Sequence, residues 1–143
     1  LGTAMGMLHR PKMLILDEPS TGVDPVSRID LWRLISEAAA DGAAVVMSTT
    51  YLDEAERAGH LVVLDSGRIL TQGSYDEVRA GFTGAITSPA VPVRPEWWSR
   101  GGREAHDYWE DGHPGTHAAT ITPDLEDIVI ALSLTRRREV GAS

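Results

Sequence analysis

This sequence predicts an α/β fold, a parallel sheet closed by an antiparallel hairpin. Three observations carry that expectation. The first is the run Met13-Leu14-Ile15-Leu16, four apolar residues that break on the acidic pair Asp17-Glu18 and on Pro19. The second is the return of short apolar runs at residues 44–47 and 61–64, with helix-like spacing between them. The third is Asp65-Ser66-Gly67, a tight-turn signal leading into Arg68-Ile69-Leu70-Thr71. Strand–helix–strand order of this kind builds parallel sheets.

Each element has its own signal. Leu1, Met5 and Leu8 read as the packed side of a helix over residues 1–9, which Pro11 stops. The strand over residues 13–17 opens with a continuous apolar run, Met13–Leu16, so it is expected to be buried on both faces. Its C-terminal edge then presents Asp17 and Glu18, at the place where open α/β sheets bind ligands. Asp24 suits a helix N-cap and Pro25 the first helical position. Ile29, Trp32, Leu34, Ile35, Ala38 and Ala39 form the apolar face of that helix, and Gly42 stops it. A second strand follows over residues 44–48, then a junction at residues 49–51 and a short acidic helix over residues 52–58. The third strand and its hairpin lead to Ser74, which caps a short helix with Asp76 and Glu77 in its first turn and Gly81 at its end.

Residues 82–121 change character. Prolines, glycines, three tryptophans and weak periodicity mark an irregular linker or a small subdomain. A helix returns at the end. Thr122 caps it, Pro123 opens it, and Asp124, Glu126 and Asp127 load its first turn. Leu125, Ile128, Val129 and Leu132 make its stripe, and Arg136-Arg137-Arg138 close it. The expected organisation is therefore residues 1–81, an α/β portion; 82–121, the irregular stretch; and 122–143, the terminal helix and tail.

Composition narrows the function. A formal charge of −8 over 143 residues argues against nucleic acid as the partner. The absence of cysteine excludes disulfides, thiolate metal sites and thiol nucleophiles. No apolar run approaches the roughly 20 residues of a membrane span, and no leader segment is visible. Lys12 is the only lysine; it follows Arg10-Pro11 and enters a strand, so no G-x-x-x-x-G-K-[ST] phosphate loop lies in these residues. The chain opens on Leu1 in what reads as mid-helix, and three strands with their helices leave a parallel sheet half-covered. The first half of the domain is therefore expected upstream.

Asp17 and Glu18 are the candidates for chemistry. An Asp at a strand end holds magnesium in phosphoryl-transfer sites, and a neighbouring Glu polarises the attacking water. The plainer alternative is a strand that ends on a capped turn. The flanking residues decide between them. Residues 13–25, MLILDEPSTGVDP, resemble the Walker B strand and D-loop of ATP-binding-cassette (ABC) ATPases. The resemblance extends through residues 48–57, like that family's switch segment, and through residues 62–73. More loosely, residues 122–134 resemble the C-terminal helix of drug- and antibiotic-export members.

The resemblance implies a partial P-loop NTPase-like sheet and an ATP-binding subunit, or part of one, of an ABC exporter. Its cofactors would be ATP and Mg2+. Its partners would be a membrane-spanning permease and a second nucleotide-binding domain, in a dimer or a tandem. It would lie at the cytoplasmic membrane face through the permease. Asp17 would hold the magnesium, Glu18 would orient the hydrolytic water, and Asp24 would lie in the D-loop that communicates across the dimer. The position of the phosphate-sensing switch histidine is Thr50, which offers a hydroxyl but no imidazole. Hydrolysis is then in question, as in the weakened site of tandem ABC ATPases. The alternatives are a non-hydrolysing regulatory half of a tandem ATPase, a soluble ABC ATPase without transport, and a truncated relic with no activity by itself. The phosphate loop, the glutamine loop and the signature all belong upstream in this family.

Three further groups have bland and sharp interpretations. His106, His113 and His117, among Asp107, Glu110 and Asp111, could take zinc or nickel, but their spacing fits no rigid ligand pattern and favours a solvated loop. Trp97-Trp98 and Tyr108-Trp109 favour packing over a partner surface. Arg136–Arg138 favour a helix C-terminus over anionic lipid.

Overall fold

The computed structural model describes residues 11–115 and 119–141. The expected helix over residues 1–9 and His117 lie outside them. The chain divides into two compact units, the first ending at Tyr51 and the second beginning at Leu52.

In the first unit, β1 (Met13–Asp17) and β2 (Ala44–Ser48) pair in parallel, with Asp17 opposite Ser48. Parallel strands need a crossover, which helix α1 (Pro25–Ala40) supplies. Its ends are set by the expected residues. Asp24 caps it, accepting from the N–H groups of Val26 and Ser27, each at 3.0 Å. Gly42 follows it at φ +94°, a left-handed conformation open to glycine. The Gly42 and Ala43 N–H groups then reach back to the Ala39 and Ala38 carbonyls, each at 3.0 Å. Leu14, Leu16 and Ile35 form the core, with Leu31, Trp32, Val45 and Met47 packed on it.

Two expectations are corrected here. Among the described residues, β1 is buried on one face only: Leu14 and Leu16 are covered, while Met13 is 55% and Ile15 70% exposed. Alternate strand residues point to opposite faces, and α1 covers only one of them. The apolar stripe of α1 is also narrower than its sequence implies. Trp32 and Ile35 pack inward with Leu31, whereas Ile29 and Leu34 are exposed.

The second unit opens with α2 (Leu52–Ala55), followed by β3 (Leu61–Asp65) and β4 (Arg68–Gly73). β3 pairs antiparallel with β4, the expected hairpin. Its local turn decides this. Ser66 (φ +50°) and Gly67 (φ +73°) are both left-handed, the geometry whose twist matches a hairpin. Helix α3 (Tyr75–Gly81) starts on a complete capping box between Ser74 and Glu77, as its sequence foretells.

The stretch after α3 is more regular than its sequence indicates. β5 (Ala85–Thr87), β6 (Trp97–Arg100), β7 (Glu104–Trp109) and β8 (Thr120–Ile121) form an antiparallel sheet ordered β6-β7-β5-β8. On one face Ile86 and Tyr108 pack with Trp98, Ile121 and Phe82. Polar bonds hold Thr87 and Asp107: Trp109 Nε1 donates to Thr87 Oγ1 at 3.0 Å, and the Val93 N–H donates to Asp107 Oδ2 at 2.8 Å.

Helix α4 (Leu125–Gly141) completes the unit. Leu125 and Ile128 share a core with Leu61 and Val78, and Ala131 packs with Ile86 and Tyr108. The cap is Asp124 rather than Thr122. Its Oδ1 accepts from the Asp127 N–H at 2.9 Å, and its carbonyl accepts from the Ile128 N–H at 3.1 Å. Glu56 Oε1 satisfies the Leu125 N–H, an otherwise orphaned helix donor, at 3.1 Å. Of the closing arginines, Arg136 donates to the Asp65 carbonyl, and Arg138 bridges Glu96 and Glu110. Their first business is internal docking.

Arg100 gathers the α4 N-terminus, contacting Asp124 at 2.6 Å, Glu126 at 3.1 Å and Asp127 at 3.2 Å. Burial pushes the Asp124 carboxyl up, but the Asp127 N–H and the Arg100 guanidinium outweigh it and hold the carboxyl below its ordinary value. A carboxyl depressed in the folded state stabilises above its unfolded pKa, and that contribution is lost as pH falls through the folded one. Arg100→Met is expected to cost on the order of 2 kcal/mol at neutral pH, because Asp127 is buried and loses a partner. Its acid-unfolding midpoint, followed by circular dichroism, is expected at higher pH than in the wild type. An unchanged acid limb would refute this role for Arg100.

Candidate functional site

Both carboxylates of the DEP motif lie where β1 ends. Asp17 is its last residue, and Glu18 begins the turn into α1. Both are open to solvent. Across the parallel ladder stands Ser48, the last residue of β2 and the partner of Asp17 in register. The Ser48 hydroxyl donates to Asp17 Oδ1. The same hydroxyl oxygen accepts from the Glu18 N–H at 3.0 Å, which the Ser48 carbonyl also shares at 3.1 Å. One serine therefore touches both members of the acidic pair.

Glu18 is held in an uncommon backbone conformation, with φ +42°. For a non-glycine residue such a conformation costs roughly 1–3 kcal/mol and persists only where its surroundings enforce it. Here the N–H is fixed by Ser48. The carbonyl accepts from the Thr21 N–H at 3.1 Å, and the carboxylate accepts from Thr21 Oγ1 at 2.9 Å. The turn continues with the Val23 N–H on the Ser20 carbonyl and with Gly22 at φ +73°. It thus aims two consecutive carboxylates outward from one strand end.

Asp24 caps α1 and turns its carboxylate to that helix's own donors. The Ser27 hydroxyl and N–H, with the Val26 N–H, hold its carboxyl below the usual range. The N-cap expectation is therefore met within this chain. Thr50 stands two residues beyond Ser48, at the tip of a turn that the Tyr51 N–H closes on Thr49 Oγ1 at 3.0 Å. The Arg28 guanidinium lies over the Tyr51 ring, 4.6 Å from its centroid, and ties the turn to α1.

Ser48 escaped the sequence as a site residue, whereas Thr21 belongs to the turn that the motif announces. Thr21 is three positions from Glu18, the spacing of a side-chain tether in a turn, so it was within reach of sequence reasoning. The partners of Ser48 lie 30 and 31 residues away, and only the strand register joins them. The histidines do not form a metal centre among the described residues. His106 is buried and donates from Nδ1 to Asp127 Oδ1 at 2.9 Å, with Trp98 edge-on to its ring. His113 bonds to Asp111 in a turn. Among the described residues no helix is long and apolar enough to cross a membrane.

No family model matches the chain. Individual proteins do. The probable multidrug ABC transporter ATP-binding protein YbhF of Escherichia coli is 41% identical over 92 residues, covering 62% of this chain and 16% of its own length. The daunorubicin/doxorubicin resistance ATP-binding protein DrrA of Streptomyces peucetius is 37% identical over 83 residues, covering 57% and 25%. DrrA2 of Streptomyces coeruleorubidus, a daunorubicin resistance ATP-binding protein, is 38% identical over 97 residues, covering 67% and 30%. The chain thus spans less than a third of each of these relatives. A solved ATP-binding subunit of an ABC transporter aligns over 51% of this chain and 31% of its own, with 36% identity and a TM-score of 0.48. The homologues of this chain are ATP-binding proteins of ABC transporters, drug-resistance types among them, and the likeness covers part of its length.

Proposed function

We propose that this chain supplies the carboxylate side of a Mg·ATP site in an ABC transporter ATP-binding subunit that energises export. The observation that supports it most directly is the Asp17–Glu18 pair at a parallel strand end, with Ser48 bonded to both residues. Asp17 would hold Mg2+ and Glu18 would orient the attacking water. When bound, the ion would neutralise charge on the phosphates. The residues fit such an ion. Asp17 is an open, hard oxygen ligand with Oδ1 committed to Ser48, which leaves Oδ2 for the metal or one of its waters. Magnesium keeps several waters and takes one or two carboxylates rather than a protein cage.

In this proposal residues 1–81 are the C-terminal part of a nucleotide-binding domain, and 82–121 and 122–143 are appended to it. A phosphate-binding loop and a signature would come from outside these residues, in the same polypeptide or another; the greater length of the relatives supports this. Asp24 would lie in the D-loop facing a second nucleotide-binding domain, and a membrane-spanning permease would hold the subunit at the cytoplasmic face.

A second reading has its own observation. Thr50 occupies the position where the resemblance calls for a histidine, and a threonine hydroxyl lacks the reach and charge of an imidazolium. This favours a site that binds ATP but turns it over slowly, as one half of an asymmetric pair. Thr50→His in the complete ATP-binding polypeptide separates the two. A charge-assisted hydrogen bond to the phosphate is expected to raise turnover about tenfold or more. If turnover stays at the wild-type rate while Mg·ATP still binds, the missing imidazole is not what limits this site. If wild type binds no Mg·ATP at all, the nucleotide reading itself is wrong.

A further inference from the structure

We infer that Ser48 is a positioning residue for the Asp17–Glu18 pair, fixing which oxygen of Asp17 is free for a divalent cation and holding Glu18 in its left-handed turn. The inference rests on the nucleotide-site reading and extends it to a residue outside the acidic motif.

A serine hydroxyl has one proton to donate and two lone pairs to accept with. Here the proton goes to Asp17 Oδ1, and one lone pair takes the Glu18 N–H at 3.0 Å. The hydroxyl rotor is therefore locked, although Ser48 lies on an exposed strand end. Asp17 cannot swing freely about its side-chain torsions, because one oxygen is tethered to the neighbouring strand. Glu18 keeps φ +42° because its N–H is drawn to the end of β2 by both the hydroxyl and the carbonyl of Ser48. The strand register, with Asp17 directly opposite Ser48, makes both contacts from one side chain.

Ser48 reaches a cation through Asp17, as an outer partner that orients a ligand. Loss of such partners typically weakens metal binding by about ten- to a hundredfold. The hydroxyl is what matters, and two β-branched replacements isolate it. Ser48→Thr keeps the oxygen, while Ser48→Val has nearly the same shape without it, and both residue types suit a strand.

The test uses Mn2+ as a paramagnetic probe with ATP on the complete ATP-binding polypeptide, read by electron paramagnetic resonance. Steady-state turnover is measured alongside. In Ser48→Val the Mn2+ concentration for half-occupancy is expected to rise about tenfold, while Ser48→Thr stays near wild type. The metal dependence of turnover is expected to move with it, and ATP binding without metal is expected to stay unchanged. Equal Mn2+ affinity in both variants would overturn the inference, as would equal weakening in both. Should Ser48→Val fail to fold, Ser48→Ala takes its place with the same expectations against Ser48→Thr. If wild type binds neither ATP nor Mn·ATP, the nucleotide-site reading falls and this inference with it.

Discussion

Glu18→Gln in the complete ATP-binding polypeptide is expected to lower ATP turnover by about two to four orders of magnitude, with ATP affinity left close to wild type. The substitution is nearly isosteric. Its side-chain carbonyl still accepts from the Thr21 hydroxyl, which sits 2.9 Å from Glu18 Oε2. The backbone bonds that hold φ +42° do not involve the side chain at all. What disappears is the negative charge that would polarise a water. A variant that keeps its turn and binds ATP but hydrolyses slowly is therefore the expected product. Single-turnover hydrolysis with radiolabelled ATP measures it. Where wild type turns ATP over readily, a variant rate within threefold of it would mean that the water is oriented elsewhere. In the alternative, slow-turnover reading wild type is already slow and the variant barely changes; the Thr50→His background then restores the contrast.

The largest structural effect is expected at Ile128. Its side chain is fully buried in the second unit, among Leu61, Val78 and Leu125. Ile128→Ala removes three carbons from that cluster and leaves a cavity that the neighbours fill only in part. The expected cost is about 2–5 kcal/mol, against about 0.5–1.5 kcal/mol for Ile128→Val. Leu52, Ala55 and Val63 pack on the same cluster, so the loss is shared by α2, β3 and α4. Urea unfolding of the chain, followed by tryptophan fluorescence, to which three of the four tryptophans contribute from the second unit, reads the shift in midpoint. A drop no larger for Ala than for Val would show that α4 is dispensable to this core.

These two sites also mark how far the sequence could be read. β1, α1, the hairpin and α3 announce themselves because each is punctuated. Asp24 and Pro25 open a helix, Gly42 closes one, Ser66-Gly67 turns a hairpin, and Ser74 with Glu77 boxes a helix start. Such signals act within a few residues, which is the range a sequence displays. The sheet from β5 to β8 gives no such signal. β7 reads EAHDYW, and His106, Asp107 and Tyr108 are all buried in it. A strand that buries polar residues on both faces shows neither alternation nor an apolar run. Its stability comes from partners far along the chain, such as Asp127 for His106 and Val93 for Asp107. The carboxylate pair was legible from its motif, whereas the serine that binds it to the next strand was not. Distance in sequence hides Ser48, and so does the ordinariness of a hydroxyl at a strand end. The two-sided burial expected of β1 failed for a related reason. Four apolar residues in a row record what a strand can be packed against, and α1 occupies one side only.

That open side has a practical meaning. Met13 and Ile15 on β1, with Val46 on β2, make a water-facing apolar flank whose two strands have no third strand bonded beside them among the described residues. A surface of this kind is adhesive, because exposed strand edges and apolar faces both recruit other chains. The 143-residue chain should therefore be handled as a sticky polypeptide: produced fused to a soluble carrier, kept dilute, and judged by its monomer fraction before any nucleotide is added.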